Sequence, residues 1–284
     1  MTAAEAVRRA LETIGTGHEN ARADAVTLLR HLLGWDMAGW IVRQHEDVPP
    51  DLLERFNLLI ARRAAGEPVA YLVGEKEFYG RSFRVGPAVL IPRPETELLV
   101  ERALAAVDAL DRPDLRVIDV GTGSGCIAVT LVCERPSLRV TATDVSAEAL
   151  ALAKENAARH DAVDRIAFVH APLTGGAVDV DLIVSNPPYI PEAHREQLMP
   201  DVRDFEPHGA LFGGEDGLAV IRALADDARR ALRGHGVLLV EIGFGQAADV
   251  QRLLEARGFG SIRVHRDLAG IERVVEARPG RASV

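Results

Sequence analysis

The sequence predicts an α/β protein led by a smaller helical part. Three observations carry this. From residue 115 onward, short β-rich runs alternate with helical ones, the pattern of a parallel sheet with helices on both faces. Before about residue 65, apolar residues recur only at helical spacing. The length, 284 residues, suits about two domains and can bury about three quarters of the unfolded surface without staples.

The elements follow in order. Ala25, Leu28, Leu29, Leu32 and Leu33 make one helix face, and Leu52, Leu53, Phe56, Leu59 and Ile60 another. Gly34 sits where the first would end, and Pro49-Pro50 where the second would begin. Three or four short helices fit this space, either as a structural cap or as a module that docks a partner. Trp35 and Trp40 flank a helix junction and read as core. Between residues 67 and 97, Tyr79-Gly80-Arg81-Ser82 lies between aromatic and β-branched runs and predicts a hairpin. Pro92 and Pro94 forbid a continuous helix there, and a helical pattern resumes from Glu95. The predicted strands are Leu115–Val120, Leu138–Thr143, Ile166–Val169, Asp181–Ser185, Gly236–Ile242, Ile262–His265 and Gly270–Ala277. Helices fit near 126–134, 147–159, 217–233 and 246–257, and the tail PGRASV reads as frayed.

Composition removes several classes of protein. Apolar residues are 48% and charged residues 26%, the values of an ordinary soluble globular chain. Two cysteines, Cys126 and Cys133, cannot make a disulfide scaffold or a cysteine-rich zinc module. They fall on one predicted helix and read as packing residues. The nine histidines show no metal spacing, so no metal site is expected. No apolar run approaches the roughly 18 residues of a membrane span, and the N-terminus lacks a signal-peptide core. The expected compartment is the cytoplasm. The net charge is −9, whereas a dedicated nucleic-acid binder usually carries a basic excess for the phosphates.

Three motifs carry the chemistry. VIDVGTGSGCIAV, residues 117–129, is a strand, a turn holding Gly121, Gly123 and Gly125, and a helix. Such glycines let backbone approach a ligand closely; a tight turn with no ligand is the alternative. The spacing departs from the dinucleotide fingerprint, whose third glycine would fall on Cys126. Asp144 ends the next strand, where an acid can accept both hydroxyls of a ribose or serve the N-terminus of a helix capped by Ser146. The most specific motif is Asn186-Pro187-Pro188-Tyr189, which ends the buried run DLIVS. The prolines remove two backbone donors and leave carbonyl acceptors. Asn186 adds a side-chain carbonyl, and Tyr189 an aromatic face. Two acceptors beside a ring suit a planar –NH₂ group.

Together the motifs resemble a class I S-adenosylmethionine-dependent methyltransferase of the subset that methylates exocyclic or amide nitrogen. PVAYLVGEKEFYGRSFRVGPAVLIPRPETELLVE, EPHGALFGGEDGL, EIGFGQ and RDLAGIERVV are similar to the HemK/PrmC family, and the resemblance covers nearly the whole chain. It implies a helical substrate-docking domain at 1–66, a β-hairpin linker at 67–97, and a seven-stranded Rossmann-like methyltransferase domain at 98–284. It implies S-adenosylmethionine as cofactor, held by Gly121, Thr122, Gly123, Ser124, Gly125, Asp144, Leu173 and Asn186. It implies as substrate the glutamine of the Gly-Gly-Gln motif in peptide chain release factors, held by Asn186, Pro187, Pro188 and Tyr189. Asn186, Pro187 and Tyr189 are then the catalytic residues. No membrane and no direct nucleic-acid contact is expected.

The resemblance breaks at one place. Relatives carry an acidic residue and then a bulky one after the third strand, near the adenine; here Pro172-Leu173 stands at that place. A backbone amide or the apolar face of Leu173 then takes over, with weaker cofactor binding. Glu241 is a candidate pocket residue or a structural one. Glu95 and Glu97 are candidates to close over the cofactor, and Arg93 to meet a carboxylate or brace the linker. The competing readings are an amino methyltransferase acting on adenine in RNA or DNA, and a non-catalytic module whose helices dock a partner.

Overall fold

The computed structural model describes residues 1–15 and 20–280; the last four residues of the tail expected to fray lie outside the described residues. In chain order the helices and strands are α1 (Ala3–Ile14), α2 (Ala21–Leu33), α3 (Met37–Arg43), α4 (Pro50–Ala64), α5 (Val69–Val73), β1 (Glu75–Phe78), β2 (Arg81–Arg84), α6 (Thr96–Leu110), β3 (Val117–Val120), α7 (Cys126–Glu134), β4 (Val140–Asp144), α8 (Ala147–Arg159), β5 (Ile166–His170), β6 (Val180–Ser185), α9 (Pro200–Phe205), α10 (His208–Leu211), α11 (Ala219–Ala231), β7 (Leu232–Glu241), α12 (Ala247–Ala256), β8 (Phe259–Arg266) and β9 (Glu272–Pro279). The chain forms two compact units. One holds residues 1–75 with 199–205, the other 76–198 with the residues from 206 onward.

The first unit is helical. Thr2 and Glu5 form a capping box at α1, each side chain accepting from the other's backbone N–H, which satisfies two donors that the helix leaves open. Gly34 ends α2 at φ 65°, and Pro50 opens α4, as the spacing predicts. Leu28, Leu29, Phe56, Ile60 and Trp40 fill the core. Trp35 is only partly buried, and the Arg43 guanidinium stacks over its ring at 4.4 Å. The buried Arg63 is matched by Asp24, at 2.7 Å.

In the second unit β1 and β2 form the expected hairpin. Its turn places Tyr79 and Gly80 at φ 52° and 70°, the two left-handed positions of a turn that follows strand twist. Glu97 Oε1 accepts from the Tyr79 N–H at 2.8 Å, which engages this carboxylate in the hairpin. Seven strands form the main sheet in the order β5-β4-β3-β6-β7-β9-β8. Alternate residues of one strand feed opposite layers: Leu182 and Val184 pack with α6 and α7, and Ile183 packs with α11 and α12.

The sheet corrects one expectation. Only β3 to β7 are parallel neighbours; β9 pairs antiparallel with both β7 and β8. A short turn closed by Asp267 joins β8 to β9, and a connection of that length permits only antiparallel pairing. The strand order reverses at β3, where the chain leaves β5 on one side and resumes with β6 on the other. Ligands bind sheets of this kind outside the carboxyl ends of the strands at such a reversal.

Candidate active site

At the end of β3, Gly121 and Gly123 have φ 71° and 55°, and a Cβ at either would meet nothing within 4 Å. The turn therefore presents bare backbone to open space. Gly125 differs: its φ is 80°, but an added Cβ would come 3.0 Å from that of Ala153. Its role is close packing of α7 on α8. The Thr122 and Ser124 side chains are buried; the Thr122 hydroxyl donates to Asp119 Oδ2 at 2.7 Å.

Two side chains hold the turn. Asp144, at the end of β4, accepts from the Gly123 N–H through Oδ2 and from the Ser146 N–H through Oδ1, each at 2.9 Å. The spacing had offered this acid a ribose or a helix terminus, and the geometry puts it against both the glycine turn and the start of α8. Asn156, fully buried on α8, donates to the Ser124 carbonyl at 2.8 Å and brackets Arg84 of β2 by its N–H and carbonyl. Leu173 stands nearby at φ 52°, its carbonyl accepting from the Thr143 hydroxyl at 2.6 Å. Its side chain packs partly on the layer of α11 and α12.

Asn186 follows directly on β6. Its Nδ2 donates to the Thr96 hydroxyl at the start of α6, at 3.1 Å, so the amide nitrogen is engaged and Oδ1 is left to accept. Pro187 is buried, and Pro188 and Tyr189 are half-buried. The Tyr189 carbonyl accepts from Gln246 Nε2 at 2.9 Å, and Gln246 Oε1 accepts from the Gly243 N–H at 2.8 Å. A Cβ on Gly243 would reach the Tyr189 ring. The next residue, Ile190, runs beside residues 211–213, with Ile190 N–H on the Leu211 carbonyl and Gly213 N–H on the Ile190 carbonyl. Gly213 and Gly217 lie against the Pro188 and Tyr189 carbonyls so closely that neither admits a side chain.

Two carboxyls lie beneath these loops. Asp119 is fully buried, and its Oδ1 has no hydrogen-bond partner. Burial pushes it up to about 7, partly offset by bonds from Thr122 and the Ala128 N–H. Glu241, at the end of β7, is 1% exposed with Oε2 unpartnered. Burial pushes it also to about 7, opposed by the nearby Thr96 hydroxyl, the charge of Arg273 and the Tyr189 hydroxyl. Burial likewise raises the Tyr189 phenol and takes the Cys126 thiol up to about 12, so that thiol stays neutral. Arg93 meets the Glu206 carboxylate at 2.5 Å. Among the described residues no cluster of three His, Cys, Asp or Glu could hold a metal ion.

Comparison with known proteins decides the family. Residues 3–74 match the PrmC N-terminal domain, and residues 95–201 match the methyltransferase small domain. A release factor glutamine methyltransferase of Cereibacter sphaeroides is 44% identical over 98% of this chain and 99% of its own. One from Nitratidesulfovibrio vulgaris is 50% identical over 78% of this chain and 76% of its own. The chain belongs to the release factor glutamine methyltransferase family. Among solved structures, the catalytic domain of human METTL16 in complex with an RNA hairpin has a TM-score of 0.59 at 18% identity, over 80% of this chain and 84% of that one. The N-terminal domain of human METTL16 in complex with SAH has 0.52 at 19%, over 78% and 83%. These two share the fold.

Within this family fold, the residues present fit an adenosylated amino acid. Gly121 and Gly123 give a cradle that a Cβ would fill, and Asp119 offers a buried oxygen without a partner. Asp144 keeps carboxylate lone pairs free after its two backbone bonds. Asp144→Ala should weaken S-adenosylmethionine binding by about tenfold to a hundredfold, because it also releases the Gly123 turn. Calorimetric titration checks this; unchanged affinity would remove Asp144 from the site.

Asp119 gives a stability prediction with a definite sign. Its carboxyl titrates near 7 when folded and near 4 when unfolded. Between these values the folded protein holds a proton that the unfolded chain has released, so this stability is full below about pH 4 and is lost as pH rises to 7. Asp119→Asn should therefore melt roughly 5 °C above wild type at pH 8 and level with it at pH 4. A difference independent of pH would contradict the buried, proton-holding carboxyl.

Sequence reasoning left out Thr96, Asn156, Gln246, Gly213 and Gly217. Thr96 had a signal in its place, since it opens a helix directly after Pro92 and Pro94. Gln246 had none, because a side chain that reaches back to a carbonyl 57 residues earlier leaves no local pattern.

Proposed function

We propose that this chain transfers a methyl group from S-adenosylmethionine to the side-chain amide nitrogen of the glutamine in the Gly-Gly-Gln motif of peptide chain release factors. Near full-length identity to relatives bearing that name supports the reading. The observation that carries it is the Asn186 amide, whose nitrogen is spent on the Thr96 hydroxyl, which leaves its oxygen to accept, with the carbonyl of the next residue, Pro187, as the second acceptor of the reading. A primary amide has two N–H donors in one plane, and this pair supplies two acceptors.

When bound, S-adenosylmethionine supplies an electrophilic methyl group on a sulfonium. Gly121, Gly123, Asp119 and Asp144 are the residues proposed to hold it, with Leu173 beside the base. The amide nucleophile is weak because its lone pair is delocalised. Asn186 Oδ1 and the Pro187 carbonyl would accept hydrogen bonds from its two N–H groups, which turns the nitrogen toward the methyl and favours positive charge growing there until one of the two protons leaves to water. Tyr189, held at its carbonyl by Gln246, packs against the amide plane and keeps water out. Pro188 fixes the backbone between them.

The helices of residues 1–66 are the proposed docking domain for the factor, with 67–97 as the linker and 98–284 as the catalytic domain. Among the described residues no helix is long and apolar enough to cross a membrane, and we place the reaction in the cytoplasm. The net charge of −9 favours a protein acceptor over a polyphosphate. Labelled methyl transfer, with purified release factor and RNA as rival acceptors, tests the reading. Label is expected on the factor; label on RNA alone would move the function to adenine methylation.

A further inference from the structure

Two motifs outside the proposed substrate contacts, EIGFGQ at 241–246 and EPHGALFGGEDGL at 206–218, meet at one peptide group, the carbonyl of Tyr189. Gln246 Nε2 donates to it at 2.9 Å, and Gly217 packs so close that a Cβ there would collide with it.

Gln246 stands at the N-cap of α12, where Ser, Thr, Asp or Asn would bond the helix's own first N–H groups. Its side chain makes no such bond. The amide turns back instead. Oε1 accepts from the Gly243 N–H at 2.8 Å, which closes the turn after β7, and Nε2 crosses to the loop after β6. A backbone N–H only donates and a carbonyl only accepts, so both ends of this amide are fixed in direction. What the side chain holds is therefore Tyr189 rather than its own helix.

The held segment has few other handles. Pro187 and Pro188 carry no N–H, so two groups with which a loop ties itself down are missing. Beyond them Ile190 is tied through its N–H and carbonyl to Leu211 and Gly213. Gln246 acts one residue earlier, and the turn it closes also reaches the Tyr189 ring. A Cβ on the buried Gly243 would come 3.0 Å from that ring and 2.9 Å from Gln246 Oε1. One turn thus meets both the carbonyl and the ring of Tyr189.

We propose that Gln246 is a positioning residue, which holds the Tyr189 carbonyl to the turn after β7 and thereby sets the Tyr189 ring beside the substrate amide. This rests on the amide-methylation reading above. Gln246→Glu keeps the shape and can still accept from Gly243, but its other oxygen has no proton to give and repels the Tyr189 carbonyl. The carbonyl then moves away and takes the ring with it. The glycine turn and Asp144 are tied to each other and stay in place.

The test uses the full chain with release factor as acceptor, at pH 8, where a glutamate is ionised. Gln246→Glu should lower kcat at least about tenfold, with KM for the factor within about threefold and S-adenosylmethionine affinity within about twofold, because orientation is lost and docking is not. Gln246→Met, which has the length but neither bond, should lose a similar amount. Combined with Tyr189→Ala, either change should slow turnover no more than about threefold beyond Tyr189→Ala alone, since both act through one residue. Wild-type kcat in both Gln246 variants, measured well below their melting temperatures, would overturn the inference and leave Gln246 a brace of the fold. So would a loss confined to KM or cofactor affinity, or losses that multiply in the double variant. If Gln246→Glu fails to fold, Gln246→Met and its double variant give the same decision. A wild type inactive on the factor would overturn the amide-methylation reading itself, and this inference with it.

Discussion

Asn186→Ala should lower turnover by about a hundredfold to a thousandfold, the usual loss when one hydrogen-bonding group aimed at developing charge is removed. Binding of S-adenosylmethionine should stay within about twofold, because the glycine turn and Asp144 are tied to each other rather than to Asn186. The loss arises from orientation. Without Oδ1 the substrate amide keeps one acceptor, the Pro187 carbonyl, and rotates about it. Stability should change little, since only the Nδ2 bond to Thr96 is given up. Steady-state kinetics with a parallel titration of cofactor separate the effects. Equal losses in turnover and cofactor affinity would contradict the assignment.

A comparably large loss is expected from a residue that touches no substrate. Gly217 has φ 76°, and a Cβ there would collide with the Tyr189 carbonyl and come 2.9 Å from Gln246 Nε2. Gly217→Ala must move that carbonyl or break its bond to Gln246. Left-handed backbone and a collision with main chain together cost about 3 kcal/mol, and turnover should fall at least about a hundredfold as Pro188 and Tyr189 shift. Circular dichroism melting with kinetics at low temperature checks both halves. A folded Gly217→Ala variant of normal activity would show that the Asn186–Tyr189 segment does not need its backing loop.

The sequence carried those parts of the fold and site that depend on neighbours in the chain. Gly121 and Gly123 announce a bare turn because no other residue serves there, and Pro187 with Pro188 announces a donor-free segment. The strands of the parallel core were legible from continuous apolar runs such as DLIVS. The antiparallel edge was less so: the short gap before Gly270 permits only a turn, but the run that follows looks the same in either direction. The supports of the site were hardest to read. Thr96 and Gln246 meet the Asn186–Tyr189 segment across long stretches of chain, and single polar residues at the ends of elements look like caps or surface positions until the fold brings them together.

The central claim is that Asn186 and Pro187 present a glutamine amide for methylation. Its most direct measurement is the mass of a release factor from a strain lacking the modification, after incubation with this enzyme and S-adenosylmethionine. The parallel sample is a factor whose Gly-Gly-Gln glutamine is replaced by alanine. The account predicts one added methyl on the first and none on the second. A methyl on both factors, or on neither when cofactor binding is intact, would contradict it.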